Sequence, residues 1–177
     1  KKKLSFGVDS NSEDFTFSVS MAEIRKHTPR PITQTKVMKD ISARQYLSIF
    51  GAEIIHKTQE KVDFHWAHRR AWSLSGKQSK ENLDAATAAS NFDTLFKVET
   101  PLKILLESQL TDKVIVSGTV HFLNKTQRVA KLVVYHLKWG KGKECTIEID
   151  PMSIRFPTQD EADAAIYMME KESKLSL

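Results

Sequence analysis

A single cysteine, Cys145, among 177 residues excludes an internal disulfide framework and suits a reducing compartment such as the cytosol. No run approaches the roughly 18 to 20 consecutive apolar residues that span a bilayer, so any membrane contact is expected to be peripheral. Lys1, Lys2 and Lys3 are followed by the mixed stretch Leu4-Ser5-Phe6-Gly7-Val8-Asp9 rather than by the continuous apolar core expected of a signal peptide. The Asn124-Lys125-Thr126 sequon is therefore expected to be chemically silent. Glycine is scarce, at six residues, and there is no glycine-rich phosphate loop, no serine elbow and no zinc-binding helix motif. Cys145 lacks a patterned histidine partner and reads as a core thiol. His65 and His68 would share one face of a helix, but on a strand they point to opposite faces, which speaks against a metal site. With no catalytic signature, no metal site and no implied cofactor, the chain reads as a binding or assembly protein rather than an enzyme.

What is present is positive charge, unevenly placed. The first eighty residues hold fifteen Lys and Arg against eight Asp and Glu, while the remaining ninety-seven hold twelve against fourteen. Clustered cations attract phosphate, in nucleic acid or in lipid headgroups, without a shaped pocket. Residues 1–14 mix charge with Ser, Asn and Gly and read as a flexible basic tail. Arg25, Lys26 and Arg30 stand in a stiff, proline-bearing turn. His65, Trp66, His68, Arg69, Arg70 and Trp72 mix cations with indoles and could stack on bases or grip phosphate; the plainer reading is an edge strand with core tryptophans. Lys125, Arg128, Lys131, Lys138, Lys141 and Lys143 follow with no acid between Asn124 and Lys143, on what reads as the turns of a meander or, equally, a lysine-protected sheet edge.

The patterning predicts an α+β fold: a single domain over residues 15–177, an antiparallel sheet with a meander in its C-terminal half, one helix from the N-terminal half and one C-terminal helix. Phe15, Phe17, Val19 and Met21 alternate as a strand with one buried face. Residues 35–50 favour a helix passing into a strand near Ala52 to Ile55. Val62 to Leu74 reads as one long strand, Gly76 to Ser79 as a loop, Asn82 to Phe96 as a weak Ala-rich helix or a mobile connection, and Leu102, Ile104 and Leu106 as a short strand. Strands over Lys113 to Leu123, Val129 to Trp139 and Cys145 to Ile149, with turns at Asn124 to Thr126 and Gly140 to Lys143, make the meander. Thr158 and Glu161 form a capping box ahead of a helix whose buried stripe is Ala162, Ala165, Ile166 and Met169, expected to cover the sheet.

The order of a lysine-bearing tail, the strand Phe15 to Met21, the basic turn Arg25 to Pro31, a helix, the segment Phe64-His-Trp-Ala-His-Arg-Arg70 and the stretch Pro101 to Phe122 with Ser117-Gly118-Thr119-Val120 resembles rhabdovirus matrix proteins, plant-infecting cytorhabdovirus members above all. The resemblance covers about residues 13 to 123. Neither late-budding motif of animal-virus members is present, since no proline precedes Pro29. The resemblance implies a structural protein of the virion, lying beneath the envelope and, in the host, in cytoplasm and at inner membranes. Such a protein associates head to tail with itself, condenses the viral nucleoprotein-RNA, bridges it to an anionic membrane surface and meets the envelope glycoprotein. Lys1, Lys2, Lys3 and Phe6 would then bind membrane; Arg25, Lys26, Arg30, Arg69, Arg70, Lys125, Arg128, Lys141 and Lys143 would contact nucleoprotein or nucleic acid. Two other readings stay open. One is a sequence-independent nucleic-acid-binding domain using His65 to Trp72 and the meander tips. The other is a small enzyme or ligand carrier, which a deep cavity lined by His65, His121 or His136 would mark.

Overall fold

The computed structural model describes residues 11–26, 28–51, 55, 62–123 and 129–174. Its main sheet has four antiparallel strands in the order β1 (Ser12–Ser20), β4 (Lys113–Phe122), β5 (Ala130–Trp139), β6 (Lys143–Ile149). A two-stranded antiparallel ribbon pairs β2 (Phe64–His68) with β3 (Leu83–Thr87). The expected α+β class and the meander β4-β5-β6 are both present.

Alternation builds the main sheet. Val114, Val116, Val120, Phe122, Tyr135, Leu137 and Trp139 point inward and are buried with Val19 and Ile149, while Ser117, Lys138 and Glu144 on the other parity are exposed. Gly140 (φ +54) and Gly142 (φ +72) take up the left-handed backbone at the β5-β6 turn. Strand β1 begins at Ser12, so it takes in the last three residues of the segment expected to be tail. Lys1, Lys2, Lys3 and Phe6 lie outside the described residues, as do Ala52 to Ile54 and the turn carrying Lys125 and Arg128.

Four sequence expectations fail, each for an identifiable physical reason. The single helix over residues 35–50 is two, α1 (Gln34–Val37) and α2 (Ala43–Phe50). Lys39 (φ 57) and Asp40 (φ 62) adopt left-handed backbone between them, and Ser42 with Gln45 forms a capping box that restarts the chain. The long strand 62–74 ends at His68. There Asn82 takes the Arg70 N–H through Oδ1 (2.8 Å) and gives Nδ2 to the Arg70 carbonyl (2.9 Å), turning the chain into a 3-10 turn at Trp72–Leu74. Leu83 to Thr87 is a wholly buried strand rather than helix, because pairing with β2 outweighs the helix propensity of its alanines. The chain turns helical only after Thr87, whose hydroxyl caps the Ser90 N–H (3.1 Å).

The largest correction concerns Leu102, Ile104 and Leu106, which are helical. Helix α3 (Ala88–Thr94) runs without a break through a π-helical turn (Leu95–Glu99) into α4 (Thr100–Glu107). Leu102, Leu105 and Leu106 are each no more than 1% exposed, a helical face rather than an alternating one. Pro101 has no N–H for the carbonyl four residues back and its ring crowds that carbonyl, and the backbone accommodates it by widening over the preceding turn. The terminal helix α5 (Gln159–Lys174) is capped as expected, Thr158 Oγ1 accepting from Glu161 N (3.3 Å) and Glu161 accepting from Thr158 N (2.9 Å). Ala162 and Met169 are buried, Ala165 and Ile166 half-buried, and the helix packs on α4, the π turn and β6.

Two clusters share the interior. The larger gathers the inward sheet residues with Leu74, Val98, Leu102, Leu105 and Leu106; the smaller joins Ala43 and Leu47 of α2 to Trp66, Leu83, Ala85 and Val129. Between the ribbon, α1, the start of α2 and the π turn lies a hollow.

Candidate functional site

The hollow has a volume of about 640 Å³, within the roughly 300–1,000 Å³ range of small-molecule sites. Strand β2 supplies Phe64, His65, Trp66 and His68; the 3-10 turn supplies Trp72 and Ser73; the α1 region supplies Arg30, Thr33, Gln34 and Thr35; and α3 with the π turn supplies Asn91, Phe92, Leu95 and Glu99. A second hollow of about 420 Å³ adjoins it, and Arg30, Thr33, Gln34 and Trp72 border both.

Hydrogen bonds hold the walls in place. Trp66 Nε1 donates to the Ile41 carbonyl (2.9 Å) and Trp72 Nε1 to the Thr28 carbonyl (2.8 Å). Arg25 clamps the basic turn onto the 3-10 turn: its Nη1 donates to the carbonyls of Trp72 (3.2 Å) and Gly76 (2.9 Å), its backbone N–H to Ser73 (2.8 Å), and its guanidinium stands 3.7 Å from the Trp72 ring centroid. Gln78 bridges the two sides, giving Nε2 to the Ile32 carbonyl (2.7 Å) while its Oε1 meets His68 Nε2.

Two polar groups in the cavity are not settled by the fold. Ser73 Oγ is buried and, among the described residues, is the side-chain atom in that condition without a hydrogen-bond partner. Burial pushes the Glu99 carboxyl above its ordinary range, against the pull of Lys103, the Ser73 hydroxyl and Arg30. The Ser73 dipole acts on Glu99, yet Oγ completes no hydrogen bond of good geometry. Burial likewise lowers His68, more than the Gln78 bond raises it, and Arg30 adds to the lowering, so the imidazole is neutral near pH 7.

The raised Glu99 has a stability consequence. The folded state holds this proton to higher pH than the unfolded chain does, so stability falls as pH rises from the ordinary carboxylate value through the raised one. Glu99→Gln is expected to be more stable than the parent at pH 8, with the advantage shrinking toward pH 4. Thermal melts of both chains across that range test it; parallel profiles would mean that Glu99 is solvated.

No protein-family model matches the chain, and no curated protein matches it significantly in sequence.

The cations predicted as one contact surface divide. Arg69 is 8% exposed. Its Nε and Nη2 meet Asp84 (2.8 and 3.0 Å) and Nη2 also meets Glu13 (2.8 Å), so it is a core clamp between β1 and the ribbon, not a surface cation. Burial lowers its pKa, but Asp84 and Glu13 together outweigh that and hold it above the ordinary guanidinium value. Arg70 lies over the Phe17 ring at 4.8 Å and donates to the Leu74 and Ser18 carbonyls, and burial pulls its pKa down. Arg25 is committed to the turn just described. Lys143 is buried beside Trp139, while Lys26, Arg30 and Lys141 are exposed. Trp66 is 6% exposed and forms wall rather than a stacking platform in solvent. Cys145 is half-buried, and burial pushes its thiol up to about 11 with help from Glu172, which suits a packed side chain. Of the histidines singled out, His65 lines the cavity, whereas His121 and His136 stand on the outer sheet face, His136 bonded to Thr146 (2.8 Å).

Sequence reasoning missed Glu99. The signal available was a lone acid inside the run Phe96-Lys97-Val98-Glu99-Thr100-Pro101-Leu102, next to a proline that disturbs helical backbone.

Proposed function

We propose that this protein is a matrix-type structural protein of an enveloped virus. It lies against an anionic membrane face, associates with copies of itself and condenses ribonucleoprotein. The observation that carries the reading is the segment from Met21 to Phe50. It holds six Lys and Arg against two acids, and interleaved with them Met21, Ile32, Ile41, Ile49 and Phe50 are exposed, Ile49 at 67%. Cations beside exposed aliphatic and aromatic side chains match the chemistry of a lipid interface, where charge attracts and apolar groups insert. Among the described residues no helix is long and apolar enough to cross a membrane, and the proposed contact is peripheral. The order of tail, aromatic strand and basic turn shared with rhabdovirus matrix proteins supports the same reading, and Lys1, Lys2, Lys3 and Phe6 extend the basic, apolar character upstream.

Co-sedimentation with phosphatidylserine-containing vesicles over a salt series tests this, with self-association followed in the same samples. Each lysine near such a surface contributes about 1 kcal/mol. Removing Lys1 to Lys3 is therefore expected to weaken partition roughly a hundredfold at low salt. Ile49→Ser with Phe50→Ser should weaken partition to neutral and anionic vesicles alike. A folded chain that stays monomeric and in the supernatant at low salt excludes the reading.

A further inference from the structure

We propose that the cavity binds a guanine nucleotide, with the base edge on Glu99 and the phosphate on Arg30. The argument starts from what the walls can satisfy. Phe64, Trp66, Trp72 and Phe92 present aromatic surface around the hollow, which favours a planar ring that can stack. Glu99 adds an acceptor pair to the same lining, within the field of Lys103 and Arg30 but without an ion pair among the described contacts. A carboxylate accepts two parallel hydrogen bonds best. Guanine offers them from N1–H and the N2 amino group on one edge. Adenine sets one donor beside an acceptor, and uracil flanks one donor with two acceptors, so each leaves a buried lone pair opposed. The Ser73 hydroxyl, buried and unpartnered at the same wall, can give its proton to a base acceptor.

The part of the lining around Arg30 fits an anion. Arg30 is exposed and borders both this cavity and the adjoining one, where Thr28 and Thr33 add side-chain hydroxyls. Among the described residues lining the two hollows, Arg30 is the sole Lys or Arg, one guanidinium for one phosphate, which favours a monophosphate over a triphosphate. The volume of about 640 Å³ accommodates a single nucleotide. The guanine could come from a free nucleotide or from one residue of an RNA strand, since the chemistry at Glu99 is the same for both. The site does not depend on membrane binding, so failure of the vesicle experiment leaves it standing.

Calorimetric titration of the full chain tests the proposal with guanosine, GMP, AMP, UMP, inorganic phosphate, a uridine hexanucleotide and the same hexanucleotide with one central guanine. GMP is expected to bind saturably and at least about tenfold more tightly than AMP or UMP, because each mismatched base edge leaves a buried polar group unpaired. Glu99→Gln, which keeps the shape, should abolish that preference, and Arg30→Ala should weaken GMP about tenfold while leaving guanosine unchanged. A guanine-bearing hexanucleotide that binds more tightly than GMP identifies RNA as the source; GMP equal to or tighter than it identifies the free nucleotide. GMP no tighter than inorganic phosphate, or a GMP affinity indifferent to Glu99→Gln in a chain with a parental melting curve, overturns the assignment.

Discussion

Arg69→Ala is expected to destabilise the fold by about 3–5 kcal/mol, because it leaves the Asp84 carboxylate buried without its counter-charge. Both side chains are 7% exposed, and the two Arg69–Asp84 bonds of 2.8 and 3.0 Å make a bidentate pair. The clamp reaches further than one pair. Glu13 of β1 meets the same guanidinium, and Tyr135 of β5, itself buried, gives its hydroxyl to the Arg69 carbonyl at 2.9 Å. Arg69 thus ties the ribbon to the main sheet from both its ends. Urea denaturation measures the loss. Arg69→Met combined with Asp84→Leu should recover most of it, since removing both charges also removes the desolvation cost. A loss below about 1 kcal/mol for the single change is the value of a solvent-screened surface pair and contradicts the burial described.

Gly76→Ala is the second large effect, about 3 kcal/mol or more, at or above the upper end for overpacking. A Cβ at that position would stand 1.8 Å from the Arg70 carbonyl oxygen, 2.6 Å from its carbon and 2.8 Å from the Ala71 oxygen. All three are backbone atoms. They are held by Asn82 Nδ2 on the Arg70 carbonyl (2.9 Å) and by the Gly76 N–H on the Ala71 carbonyl (2.9 Å), so no side-chain rotation relieves the clash. The Gly76 carbonyl also receives Arg25, so the same substitution should loosen the basic turn and the Trp72 wall. Limited proteolysis near Arg25 to Arg30 reads that loosening, alongside the fall in melting temperature. Gly118 makes an instructive contrast: a Cβ there would lie 2.0 Å from Phe15 Cζ, but a ring tip can shift and a carbonyl in a hydrogen-bonded turn cannot.

The meander was legible because three features agree along it: alternation of period two, β-branched residues and turn glycines. Leu102, Ile104 and Leu106 satisfied the same alternation by coincidence, and the deciding residue was Leu105, which a strand would have exposed and a helix buries. Leu83 to Thr87 was illegible for the opposite reason, since its local preference is helical and only the distant partner β2 makes it a strand. At the candidate site the cluster His65 to Trp72 was visible as composition, but charge type says nothing of direction. Arg69 and Arg70 are neighbours of the same charge, one locked against carboxylates and the other laid over Phe17. The cavity itself draws its walls from segments about seventy residues apart, and no single stretch of sequence carries its shape.

The π turn of Leu95–Glu99 also constrains the ancestry of this chain. Such a turn is an α-helix holding one extra residue, and each residue advances a helix by about 100°. Deleting one residue there would restore regular winding and swing Asn91 and Phe92 out of phase with the Leu102, Leu105, Leu106 stripe. Either the hollow or the leucine face would then lose its register. Descendant and sister sequences should therefore tolerate replacement within this turn far better than a change in its length, and a gap at this point would mark lineages that have lost the hollow.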